Sequence, residues 1–250
     1  MSSTHLAWTY GVLYFVLREF KSTTNPICQR FDLSEAISLC EKNLNVLLEE
    51  CRIFSVPSFG NVLALALASM KAQIEANPFL GCTLISTAAT HCQNLGYSHD
   101  SAHGNSSNSR RLFWSVYMLE KQISLFFGRA SVIQDADVDT AYPIRSSRDP
   151  IEHWNELFMA GIKLAKIQSA VYEDVYSRTA LKLPDYQRQR RIEEHETALN
   201  GWFRQLPWRY PNIVRDDNRH LFRIARDVLE AKYYSTFTTL LRAPNATKTG

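Results

Sequence analysis

Apolar residues recur at i, i+3 and i+4 along almost the whole sequence, and no stretch alternates apolar and polar residues as a strand does. That period confines the chain to helices buried against one another. The most regular case lies in RRLFWSVYMLEKQISLFFG, where Leu112, Phe113, Val116, Leu119, Ile123 and Phe126 share one side. Asn108 or Ser109 is the expected cap of this helix and Gly128 its natural stop. About eight such segments can be counted, so the expected fold class is all-α: a single irregular domain of antiparallel-packed helices over residues 1–250.

The punctuation between segments supports this count. A first helix is expected from about Thr4 to Lys21. A second opens at Asp32, with Glu35 as its capping-box partner, and continues through Ile37, Cys40, Leu44 and Leu47 to Cys51. The third is so dense in Leu and Ala between Val62 and Met70 that it reads as a central element, ended by Asn77 and Pro78. The fourth follows Pro78 and stops at Gly96; the fifth is the helix ending at Gly128. A long extended connection follows from Arg129 to Arg148. The sixth helix starts near Asp149 and Pro150 and runs to Ser177, the seventh opens at Pro184 and Asp185, and the eighth runs from Asp216 or Asp217 to Arg242 before Pro244. No hydrophobic formula recurs at a fixed period, which excludes a solenoid.

Only 9 Gly and 9 Pro interrupt 250 residues, too few for a disordered or turn-rich chain. The longest early apolar stretch, Leu6 to Leu17, is cut by Arg18, short of the roughly 20 residues a spanning helix needs. MSSTH carries no Lys or Arg, so no secretory leader is read and the expected localisation is intracellular. Five cysteines (Cys28, Cys40, Cys51, Cys82 and Cys92) form no CxxC pair, which favours reduced thiols, with Cys40 and Cys51 on one buried face. Net charge is +3 and the pI about 8.6, below the ~9 that marks nucleic-acid-binding domains. The densest basic run, Arg188 to Arg191, is answered by Glu193, Glu194 and Glu196 as on a solvated helix face.

Asp135, Asp137 and Asp139 pose a metal question, because alternating carboxylates can hold a hard cation. An EF-hand loop starting at Asp135 would need Gly at its sixth position and Glu at its twelfth. Thr140 and Ser146 stand there instead. An all-α magnesium-dependent enzyme of isoprenoid type would carry its aspartates on helices at i and i+4, with a second acidic cluster; here the stretch reads as extended loop, and DDNRH at Asp216 to His220 has only two acids. That enzyme remains the alternative reading. Cys92, His99 and His103 could form a zinc site, but the two histidines flank a Gly/Ser-rich loop, where exposed histidines are the default reading. Phosphate loops, dinucleotide fingerprints, nucleophile elbows and HExxH are all missing from the sequence, so the chain is read as no enzyme.

Arg111, Phe113, Trp114 and Tyr117, then Ser124 and Leu125 leading into Gly128 and Arg129, then Ile133, Asp135, Asp137, Asp139 and Pro143 form a pattern. It resembles the fungal-specific transcription factor domain, the middle homology region of fungal regulators with a binuclear zinc cluster. The preceding two helices resemble that family too, with Leu95, Gly96 and Asp100 in its closing phrase; so do Trp202, Leu206 and Pro207, and Leu241, Arg242 and Pro244. The resemblance covers about Val62 to Pro244. Tyr97, Ser98 and Ala130 depart from it, and the family's six-cysteine cluster is missing.

The resemblance implies transcription regulation, a nuclear location, and partners among other transcription regulators or co-regulators, with homo- or heterodimers included. Zinc belongs to the cluster this chain lacks, so no cofactor and no direct DNA contact are expected. Relative to the family the chain is expected to be incomplete at both ends, which leaves a non-functional truncated domain as a further alternative. Phe113, Trp114 and Tyr117 are expected in the core. Arg110 and Arg111 in the first helical turn oppose the helix dipole, so Arg111 or Arg129 is expected to pair with Asp135 or Asp137 and fold the loop back on its helix.

Overall fold

The computed structural model describes residues 3–22, 31–50, 56–100, 106–143, 152–206 and 219–243. Expectations placed on Cys28, Cys51, His103, Asp149, Pro150, Pro207, Asp216, Asp217 and Pro244 lie outside those residues. Among the described residues the secondary structure is entirely helical: α1 (Ser3–Ser22), α2 (Leu33–Glu50), α3 (Phe59–Ile74), α4 (Pro78–Asn94), α5 (Ser107–Phe126), α6 (Glu152–Val171), α7 (Asp185–Arg204) and α8 (Arg219–Leu241). The all-α reading holds, with these eight α-helices among the described residues. The 129–143 connection is not extended throughout, because Asp135–Asp137 close a 3-10 turn.

Two compact packing units share these helices. One contains residues 1–116 and 136–141, the other 117–135 and 142–250, so α5 gives its first half to one and its second half to the other. In the first unit α1 packs on α2 and α3, and α3 packs on α4. Helix α3 is the buried centre the Leu/Ala density predicts, with Val62, Ala64, Leu65, Ala66, Ala68 and Ala72 all buried. Small side chains let α4 approach closely: Gly81 leaves only 3.3 Å between a would-be Cβ and the Ser69 carbonyl oxygen. Lys71, on α3, is buried between carboxylates, with its Nζ 3.1 Å from Glu41 and 2.5 Å from Glu75.

In the second unit α6, α7 and α8 pack on one another around Leu164, Val171, Leu199, Trp202, Leu229 and Leu240. Trp202 donates from Nε1 to the Ala160 carbonyl at 3.0 Å, which satisfies its one polar atom in the core. Phe203 and Tyr233 stack with centroids 4.2 Å apart. The chain leaves α6 through a π turn at Tyr172–Tyr176, and its Asp174 collects the Arg191 guanidinium at 3.2 Å and the His195 ring at 2.9 Å. The basic run is therefore not uniformly solvated: Arg190 lies exposed beside Glu194, but Arg188 is buried.

Helix ends follow local chemistry. Gly96 and Gly128 sit at φ +70° and +61°, as expected of residues that close helices in the left-handed region. The cap of α5 differs from expectation. Ser106, just before the first helical residue, accepts from the Ser109 backbone N–H at 3.1 Å, in place of Asn108 or Ser109 itself.

Candidate functional site

The residues that carry the family pattern converge on α5 and the connection after it. Phe113, Trp114 and Tyr117 are buried, as expected of core residues. In the first unit, Trp114 Nε1 donates to the Ala141 carbonyl at 3.1 Å. The backbone amides of Asp139 and Thr140 both donate to the Ser98 carbonyl, at 3.1 and 3.0 Å. Asp139 in turn accepts from the Asp100 amide at 3.0 Å, and Asp100 pairs with Arg110 at 2.8 Å. The last contact offsets an arginine in the first turn of α5. The connection is thus tied to the turn that follows α4, the Leu95–Asp100 phrase.

In the second unit the tie is stronger and more buried. Tyr117 donates its phenol to Asp135 Oδ1 at 2.7 Å. One turn further along α5, Lys121 is 1% exposed, and its ammonium reaches the Ile133 carbonyl at 2.6 Å, the Ser169 hydroxyl at 2.9 Å and Asp135 Oδ1 at 3.0 Å. These three contacts match the three donors of an ammonium. Beside it the fully buried Glu120 accepts from Ser124 at 2.7 Å, from the Val132 amide at 2.8 Å and from Ser131. Burial, reinforced by the Asp135 carboxylate, pushes the Tyr117 phenol far above its ordinary range, so it stays a donor.

The connection is tied to α5 at Asp135, and one cation that meets it is Lys121, which sequence reading did not put forward. Glu120 was missed as well. Asp137 is exposed, Arg111 and Arg129 are half-buried, and Pro143 is buried at the far end of the connection. The aspartates do not act as a trio: Asp135 anchors to α5, Asp139 to the turn after α4, and Asp137 faces solvent.

The chemistry this arrangement supports is a clamp. Buried Lys121 and Glu120 are both met by opposite charge or by hydrogen bonds, as buried polar networks require. Among the described residues no three His, Cys, Asp or Glu side chains come together to hold a metal ion. Cys92, a candidate zinc ligand from sequence, lies fully buried with its thiol pKa pushed up to about 12 by burial, whereas His99 is exposed near Asp139. Among the described residues no helix is long and apolar enough to cross a membrane.

Comparison with known proteins accounts for the pattern. Residues 19–204 match the fungal specific transcription factor domain. The chain is 26% identical over 234 residues to an uncharacterized transcriptional regulatory protein of Schizosaccharomyces pombe, covering 81% of this chain and 35% of that protein. It is 30% identical over 146 residues to an ABC-transporter-regulating transcription factor of Aspergillus oryzae, covering 53% of this chain and 16% of that protein. A second S. pombe transcriptional regulatory protein is 27% identical over 172 residues, 64% of this chain and 28% of the relative. The chain therefore spans about a third or less of the length of these relatives. No solved structure matches it. The isoprenoid-enzyme alternative finds no support among these relatives. With the family's match extending over more than half of its length, from α1 to the end of α7, this chain belongs to the fungal specific transcription factor domain family.

Proposed function

We propose that this chain is the regulatory, non-DNA-reading helical region of a fungal transcription factor. It works in the nucleus through contacts with other transcription regulators or co-regulators, a second copy of itself included, or through an effector held between its helices. The observation that carries the reading is the family match over residues 19–204, which takes in the whole clamp between α5 and its connection. The clamp supports a binding role over a catalytic one, because its polar groups are spent on each other and on backbone amide and carbonyl groups. No metal or other cofactor enters this reading.

The test is to fuse the chain to a heterologous DNA-binding domain in a yeast reporter strain. Reporter output is expected to differ from that of the DNA-binding domain alone, and Lys121→Met is expected to weaken the difference. A folded fusion that accumulates in the nucleus without changing output overturns the regulatory reading. The purified chain alone is expected to leave the anisotropy of a labelled random-sequence duplex unchanged at physiological salt. Saturable binding there overturns the non-DNA-reading part.

A further inference from the structure

Helices α2, α3 and α4 of the first unit border a half-open cavity of about 180 Å³. This exceeds the ~150 Å³ of an engineered apolar cavity that takes up benzene. Its wall is apolar where Leu48, Ala68, Ala72 and Leu84 line it, all of them buried. Its polar side is Lys71, with Glu75, Asn45 and Leu80 at the exposed rim. Such a combination, an apolar pocket with a few fixed polar groups, is what a small-ligand site requires.

The charges decide which ligand. Lys71 Nζ is held by Glu41 at 3.1 Å and Glu75 at 2.5 Å, and the Tyr14 ring lies 5.8 Å from it. An anionic ligand would have to displace one of these carboxylates from a buried ammonium. Of the two carboxylates, Glu41 stands outside the lining and is drawn on by Arg18 as well as Lys71, which leaves Glu75 as the carboxylate at the rim. A cationic donor at Glu75 relieves the crowding of the two carboxylates and gains a charge-assisted hydrogen bond. Asn45, on the same rim, carries a further amide acceptor.

We propose that this cavity is a binding site for a small aliphatic amine, its hydrocarbon body on Leu48, Ala68, Ala72 and Leu84 and its ammonium at Glu75 and Asn45. The site deepens the effector reading and rests on it only for what occupancy does. Binding to the purified chain and reporter output from the fused chain therefore fail separately.

The experiment titrates the whole 250-residue chain with 3-methylbutylamine, 3-methylbutanol and 3-methylbutanoate, followed by calorimetry and protein NMR. The amine is expected to bind saturably at one site, roughly tenfold tighter than the alcohol, and the acid to bind weakest. Leu80→Trp, at the rim, is expected to block all binding with the thermal midpoint retained. Glu75→Gln is expected to erase the amine's advantage and keep the alcohol's affinity, which tests the site even where the tryptophan variant does not fold. Equal affinity for the three ligands, amine binding that survives folded Leu80→Trp, an amine advantage that survives Glu75→Gln, or no saturable amine binding up to about 10 mM overturns the proposal.

Discussion

Lys121 shows how much one buried side chain can decide. It lies one turn beyond Tyr117 on α5 and joins that helix to the Ile133 carbonyl, to Asp135 and to Ser169 on α6. Removing it takes the cation from Asp135 and leaves the Ile133 carbonyl only its Ser131 donor, and breaking a buried pair from one side costs about 3–5 kcal/mol. Asp135 is 35% exposed and partly rehydrates, so Lys121→Met is expected to lower stability by about 2–4 kcal/mol in urea unfolding. Asp135→Asn retains an acceptor for Tyr117 and is expected to cost about 1 kcal/mol by the same measurement. A loss under 1 kcal/mol for Lys121→Met would mean that the loop is held elsewhere. Sequence reading found Tyr117 and Asp135 because they belong to a family pattern. Lys121 escaped it because a lysine within an amphipathic helix reads as solvent-facing; only the arrival of Ile133, Asp135 and Ser169 from different parts of the chain makes it a buried cation. The same limit hid Glu120, whose partners Ser131 and Val132 return to it from beyond the end of its helix.

The helices themselves were legible because their period and punctuation are local. Gly96 and Gly128 announce their own left-handed stops, but α3 ends the same way without a glycine. Ala76 sits at φ +54°, with Asn77 N–H on the Ala72 carbonyl at 2.8 Å and its own N–H on Gln73 at 3.2 Å. An alanine there bears a left-handed cost of roughly 1–2 kcal/mol, partly offset by the smaller entropy it loses on folding relative to glycine. Ala76→Gly is thus expected to stabilise the chain by about 0.5–1 kcal/mol, read as a higher thermal midpoint, and no gain would place the cost of this turn elsewhere. Helix α4 carries a second consequence in His91, which is 4% exposed and whose Nδ1 has no hydrogen-bond partner. Burial holds its pKa below the ordinary value of about 6.5, so the fold keeps the neutral ring. Its contribution is complete above the unfolded value and is lost as pH falls from about 6.5 toward the lower folded value. Between pH 7 and 5 the thermal midpoint is expected to fall more steeply for the natural chain than for His91→Leu; parallel profiles would sink this assignment.

At the scale of the molecule, α5 is the element whose loss should be felt most widely. The boundary between the two packing units runs through it after Val116, and its unbroken period gives no local sign of that boundary. Nothing in the amphipathic pattern distinguishes residues 107–116, whose Trp114 reaches Ala141, from residues 117–126, whose Tyr117 and Lys121 hold Asp135. Leu199 on α7, by contrast, belongs wholly to the second unit's core. Leu199→Ala opens a cavity at a fully buried position and costs about 2–5 kcal/mol. Cooperative units lose hydrogen-exchange protection together, so this loss is expected in α6, α7, α8 and the second half of α5, with α1 to α4 largely spared. Val116→Pro removes a backbone donor inside α5 and costs about 3 kcal/mol or more at the point where both units draw on the helix. Its protection loss is expected in peptides from both units. Exchange mass spectrometry on the two variants separates the cases: loss across α1 to α4 in Leu199→Ala equal to that in α6 to α8 would show that the helices unfold as one body, and α5 would then be one core helix among several.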